Sequence, residues 1–354
     1  MEKRKNYTIN LFRFIFAVAV FGLHSMEYIP YCWHGDSSVE FFFLISGYFT
    51  VDSANKYLNS NDISVLESSI NFFFKKLKTF FLPCVIAKII GFILYRIVNK
   101  SSLIDIIFDL LSFPFEVLLT RGLGFTSKWY IGVDWYLSAM MIVIFICFPL
   151  LLKYNKKYRY YFAPIISLSI LGYLAHTYGT LTDISVWSNF ILKSTLRAFA
   201  VMNLGIVLHN IVDFLNQFNF NKLGKIKLLI IEIISFFIPV YFAFFVTTVN
   251  LEFQSLFFIS VAIIISFLDV TFFDKFFDKH HIISEKLGEY SLYLYIFHRI
   301  ILNYIMPIVK NYIYDTKLLR VFFLLSVFIG SAIFMYICKL INKQLPKIKK
   351  LWID

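Results

Sequence analysis

Ten apolar runs succeed one another along this chain, at roughly residues 9–29, 39–55, 79–99, 132–152, 160–177, 189–212, 227–248, 254–273, 289–309 and 318–341. Most are about 20 residues long, which is what a helix needs to cross a hydrocarbon layer of about 30 Å. Inside lipid a chain must satisfy its own backbone hydrogen bonds, and long continuous apolar runs do so as helices. The expected fold class is therefore all-α, a polytopic membrane protein of about ten transmembrane helices. No internal repeat and no appended soluble domain is read, so residues 1–354 are taken as one integral membrane domain.

The basic residues orient those spans. With the N-terminus on the cytoplasmic side, 21 of the 34 lysines and arginines fall in cytoplasmic segments, among them Lys3, Arg4, Lys5, Lys56, Lys75, Lys76, Lys78, Lys153, Lys156, Lys157 and Lys222. Only Lys100, Arg121, Lys128, Lys310, Lys317 and Arg320 fall outside. The positive-inside rule then places both termini in the cytoplasm. The net charge of +12 is explained by this topology, so no nucleic acid is expected as a partner. Four cysteines without C-x-x-C spacing suggest neither a disulfide framework nor a metal site. Lys3, Arg4 and Lys5 resemble the start of a signal peptide, but Arg13 interrupts the apolar run, and a retained first helix is expected.

Two segments fit a simple span poorly. The second run has only about 20 Å of strongly apolar helix and contains Ser46 and Gly47, so it is expected to be surrounded by protein. Residues 103–120 carry Asp105 and Asp109 four apart and Pro114 near the middle, which suits an amphipathic helix on the outer surface better than an eleventh span.

The first run holds Arg13 and His24. Eleven residues at about 100° each come within about 20° of three full turns, so both side chains occupy one helix face, about 16 Å apart. Ionisable groups inside a span are costly and mark bundle interiors or wet paths. A neutral His24 imidazole near the outer surface suits a general base acting on a hydroxyl. Glu27 shares its face and Glu40 opens the second span at similar depth, and either carboxylate suits the part of orienting the ring. Arg13, with Lys75, Lys76 and Lys78 before Pro83, forms a cationic mouth suited to a phosphorylated ligand, snorkelling of Arg13 to lipid phosphates being the alternative. Lys193 and Arg197 share a face near the outer end of the sixth span, placed to meet an anionic substrate or to pair with Asp134. Asp134, Trp135 and Tyr136 open the fourth span, where an aromatic belt is the ordinary explanation of the two rings. His298 and Arg299 sit mid-membrane in the ninth span and imply a polar bundle centre. His176, His209, His280 and His281 carry no signal.

Several of these stretches resemble one family. Arg13 followed eleven residues later by His24, the block SVEFFFLISGYF at residues 38–49, FFFKKLKTFFLP before the third span, WYLSAM from Trp135 and SLYLYIFH at residues 291–298 together resemble the acyltransferase 3 family of bacterial integral membrane O-acyltransferases. The lysines at 75, 76 and 78 stand where that family commonly has arginine, which keeps charge but loses bidentate geometry. The resemblance implies an acyl-CoA donor, most simply acetyl-CoA, without a metal. It also implies a glycan or other hydroxyl-bearing envelope acceptor, and residence in the bacterial cytoplasmic membrane. On that reading His24 and Glu40 are catalytic, and Arg13, Lys75, Lys76 and Lys78 hold the donor. Asp134, Trp135, Lys193, Arg197, His298 and Arg299 then contact substrate. Transfer is either direct or through an acyl-histidine. A lipid or saccharide transporter without bond chemistry is the competing reading of the same polar path.

Overall fold

The computed structural model describes residues 6–30, 32, 34–59, 64–99, 102–125, 130–247 and 250–351, with side chains to residue 344. Lys3, Arg4, Lys5, Lys100 and Lys128 lie outside the described residues. The chain is almost wholly helical: α1 (Tyr7–His24), α2 (Ser38–Leu58), α3 (Val65–Asn99), α4 (Leu103–Val117), α5 (Trp135–Lys157), α6 (Ala163–Tyr178), α7 (Lys193–Leu215), α8 (Lys222–Phe245), α9 (Glu252–Leu268), α10 (Phe272–Lys279), α11 (His281–Ile300), α12 (Met306–Val309) and α13 (Thr316–Leu351). A two-stranded antiparallel hairpin, β1 (Trp187–Ser188) and β2 (Ile191–Leu192), precedes α7.

Each of the ten apolar runs falls on a helix, but length and apolarity alone give seven spanning segments, or eight if α9 and α10, bent by 67°, form one. Two features account for the rest of the difference. Runs four and five are one helical segment, Trp135–Tyr178, of 44 residues. At about 1.5 Å per residue it is roughly twice the hydrocarbon thickness, and it kinks at Tyr154 (φ −127°, ψ 33°) ahead of a π-helical turn at Tyr158–Phe162. Helix α2 carries Asp52, Lys56 and three serines, which lower its apolarity.

That second helix lies inside the bundle. Phe41, Phe43, Leu44, Tyr48, Val51 and Ala54 are essentially inaccessible, and α2 packs against α7, α5, α1 and α9. The α2–α7 contact is made backbone to backbone. A Cβ on Gly47 would overlap the Met202 carbonyl, and one on Gly205 would overlap the Leu44 carbonyl. Small residues permit this approach between membrane helices, where packing rather than water drives association. Gly47→Ala is therefore expected to destabilise the bundle by about 1–3 kcal/mol, as overpacking does. Gly172→Ala, where no atom lies within 4 Å of the new Cβ, should leave the melting temperature in detergent unchanged or raised. Equal melting of the two variants would refute the close-approach account.

Helix α4 follows the amphipathic reading. Ser102 and Asp105 form a capping box at its start. At 15 residues it is too short to span. Leu103, Ile104, Ile107, Phe108 and Leu111 are exposed, whereas Asp109 and Glu116 turn inward. Asp109 pairs with Arg96 of α3, and the Lys88 ammonium reaches both the Glu116 carbonyl and its carboxylate. The apolar face is thereby left for lipid.

Candidate active site

Helix α1 contributes to cavities at both of its ends. At the His24 end a cavity of about 410 Å³ is lined by His24, His34, Asp36, Trp135, Asp183, Arg197, Glu252 and Tyr295, among others. The helix stops at His24 because the chain turns there, the Ser25 amide returning to the Gly22 carbonyl at 3.0 Å and the Ser25 hydroxyl to the Phe21 carbonyl. The last residue of α1 thus presents its side chain at a helix terminus. His24 is half-buried, and its ring is parallel to that of His298 on α11 to within 13°, with centroids 5.4 Å apart.

Glu40 does not meet His24 in a hydrogen bond. Its Oε1 accepts from Arg197 Nε at 2.6 Å, with the Arg197 Nη2 also 2.6 Å away. Both side chains are at most 1% exposed, so this is a fully desolvated ion pair, which only close geometry sustains. The Arg197 Nη2 further donates to the Asp36 carbonyl at 3.0 Å, and the guanidinium lies 5.6 Å over the Trp135 ring. Burial pushes the Asp36 carboxyl up from its ordinary value, with Arg197 pulling the other way. Glu27 is equally engaged elsewhere, paired with Lys310.

Asp134 meets neither Lys193 nor Arg197. It is held by Lys88 Nζ at 2.8 Å and Arg121 Nη1 at 2.8 Å, two cations that sequence reasoning passed over. Lys193 instead faces Asp183 at 3.5 Å and the Tyr178 ring at 4.6 Å. Asp134 and Lys193 therefore sit behind the cavity, and Trp135 and Arg197 in its wall. His298 and Arg299 are not in the wall of that cavity. Glu252, by contrast, is a wall residue no motif signalled. Its carboxylate is fixed by the Thr180 hydroxyl at 2.8 Å and by the Leu181 amide.

At the opposite end a cavity of about 680 Å³ is lined by Arg13, Asn10, Asp52, Lys56, Lys76, Asp269, Glu285 and Glu289. Arg13 donates to Asn10 Oδ1 at 3.1 Å and lies 5.5 Å over the Phe49 ring. Its surroundings are of mixed charge rather than uniformly basic. Asp52 is tied to His209 Nε2 at 2.8 Å, and the other ring nitrogen of His209 meets Asp213 at 3.0 Å. This gives a structural role to a histidine without a sequence signal. Ser53, Lys56 and Lys76 also line an adjoining groove of about 440 Å³ with Lys75 and Thr79. The only charged side chains of that groove are lysines. Lys78 is exposed and lines neither space; Lys56 takes the position the sequence suggested for it.

The cavities at the two ends share no lining residue. Phe42, Tyr136 and Tyr295 pack within 6.0–6.3 Å of one another in the bundle, Tyr295 reaching the His24 cavity.

A family model for an acyltransferase domain matches residues 6–340, nearly the whole chain. The chain belongs to the acyltransferase 3 family. No curated protein and no solved structure matches it. This member of the acyltransferase 3 family is a multi-pass membrane acyltransferase, and both cavities and all the polar contacts described between them fall within the matched residues.

Proposed function

We propose that this protein is an acyl-CoA dependent O-acyltransferase, most simply an acetyltransferase, that passes the acyl group from a cytoplasmic donor to a hydroxyl of an extracytoplasmic glycan. The observation that carries the reading is the division of labour along α1: a titratable imidazole in one cavity, and Arg13 beside a lysine-lined groove at the other end. The positive-inside rule assigns the lysine end to the cytoplasm, where acyl-CoA is found. Lys56, Lys75 and Lys76 present ammonium groups to the nucleotide phosphates, and Arg13 stands further in along the pantetheine arm. The Arg13 to His24 rise of about 16 Å is of the order of that arm. Thioester delivery requires the rings of Phe42, Tyr136 and Tyr295 to part.

In the transfer step His24 removes the proton from the acceptor hydroxyl as its oxygen attacks the thioester carbonyl. Collapse of the tetrahedral intermediate breaks the C–S bond, and the coenzyme thiolate takes the proton back from the imidazolium. An acyl-histidine route splits the same transfer into two steps. In the outer cavity the carboxylates of Asp36 and Glu252 and the Trp135 ring supply acceptors and an apolar face for a polyhydroxylated acceptor.

Membranes incubated with acyl-labelled coenzyme A test the proposal. Label is expected in glycan, and Lys56→Ala with Lys76→Ala should raise the donor KM by about 10-fold to 100-fold, the loss of one or two charge-assisted phosphate contacts, with kcat little changed. Unmodified substrate crossing the membrane without label would support a transporter instead.

A further inference from the structure

His298 belongs to α11 and is 1% exposed. Its Nδ1 lies 3.0 Å from the Leu294 carbonyl oxygen. A carbonyl only accepts, so Nδ1 carries the hydrogen of the neutral ring and the lone pair resides on Nε2. That Nε2 has no hydrogen-bond partner among the described residues. Buried polar atoms are nearly always paired, and one left open beside a titratable group calls for a reason. Its ring neighbours are His24 at 5.4 Å, Phe21 at 6.0 Å and Tyr295 at 6.4 Å. The two carboxylates nearest His24 in sequence are spent on other cations, Glu40 on Arg197 and Glu27 on Lys310.

A neutral imidazole that serves as a base needs its N–H held, so that the lone pair of the other nitrogen points at the substrate. We propose that His298 Nε2 is the group that holds it, accepting the His24 N–H directly or through one water and so orienting His24 as the base. The inference rests on the reading of His24 as the base and names its positioning residue. The terminal torsion of a histidine is broad, and a turn of the His24 ring about it carries the N–H out of the parallel arrangement towards Nε2. A neutral acceptor orients the ring without adding a second negative charge to a cavity already walled by Asp36, Asp183 and Glu252. No proton is transferred to His298. The hydroxyl proton goes to the free nitrogen of His24 and leaves with the thiolate, while the N–H towards His298 is kept throughout.

The test uses the full chain purified in detergent, with His298→Phe, which keeps a ring but removes the acceptor, and His298→Gln, which keeps an acceptor. Two quantities are measured: kcat with the donor KM for acetyl-CoA, and the rate at which diethyl pyrocarbonate modifies His24, followed by mass spectrometry. His298→Phe should lower kcat by about 10-fold to 100-fold, as loss of an outer-shell partner does, leave the donor KM unchanged and slow modification of His24. His298→Gln should recover part of both. Equal loss in the two variants, or an unchanged modification rate in His298→Phe, overturns the proposal. Should the parent protein transfer no acyl group while His298→Phe still slows modification of His24, the coupling stands and the catalytic reading of His24 falls.

Discussion

Replacing His24 by alanine is expected to reduce acyl transfer by about 10²-fold to 10⁴-fold, the range general-base catalysis supplies, while the protein still inserts and accumulates in the membrane. The side chain is half-buried at the last position of α1 and lines the cavity without a hydrogen bond among the described residues. Its removal therefore unpairs nothing, and the bundle loses only one ring contact, with His298. The effect should reside in kcat, with the donor KM unchanged, because the lysine groove lies at the far end of the helix. The comparison is made in membranes holding matched amounts of parent and variant, with labelled donor in excess. Transfer within a few-fold of the parent rate would remove His24 from the chemistry and return α1 to a purely structural role.

The second large effect concerns stability. Glu40→Ala leaves the Arg197 guanidinium buried at 1% exposure with only a backbone carbonyl and the Trp135 face for company. Breaking a buried ion pair from one side costs about 3–5 kcal/mol, because the surviving charge stays desolvated. Arg197→Ala should cost as much, since it strands a carboxylate that is wholly inaccessible. Replacing both partners together, as in Glu40→Leu with Arg197→Met, removes both charges and should recover most of the melting temperature in detergent. Activity should not return, because Arg197 lines the cavity and lies over Trp135. A double variant as unstable as the sum of the singles would show that the pair is not coupled. Restored activity would show that it serves packing alone.

These two results separate what α1 and α2 each contribute. Sequence reasoning linked Glu40 to His24 because both lie near the same membrane surface, and depth was the only coordinate available. In the fold α2 turns Glu40 towards α7, and the two helices approach closely enough at Gly47 and Gly205 for Arg197 to reach it. The lysines show the same limit. Lys75 and Lys76 line the groove, but Lys56 arrives from another helix, where nothing near it in sequence marks it, and Lys78 turns away.

Much was determined by the sequence alone. Continuous apolar runs of spanning length have one cheap solution in lipid, so the all-helical bundle follows without tertiary information. The 3.6-residue period likewise places Arg13 and His24 on one face of α1, and it sets the carboxylates Asp105 and Asp109 against an apolar face in α4. These are local regularities, repeated every turn of a single helix. Partner choice is not local. Arg197 meets Glu40 across 157 residues of chain, Lys88 meets Asp134 from a different helix, and His24 faces His298 on the eleventh helix. Which helices become neighbours depends on small-residue contacts and on the pairing of every buried charge at once, so only the assembled bundle decided the surroundings of the base.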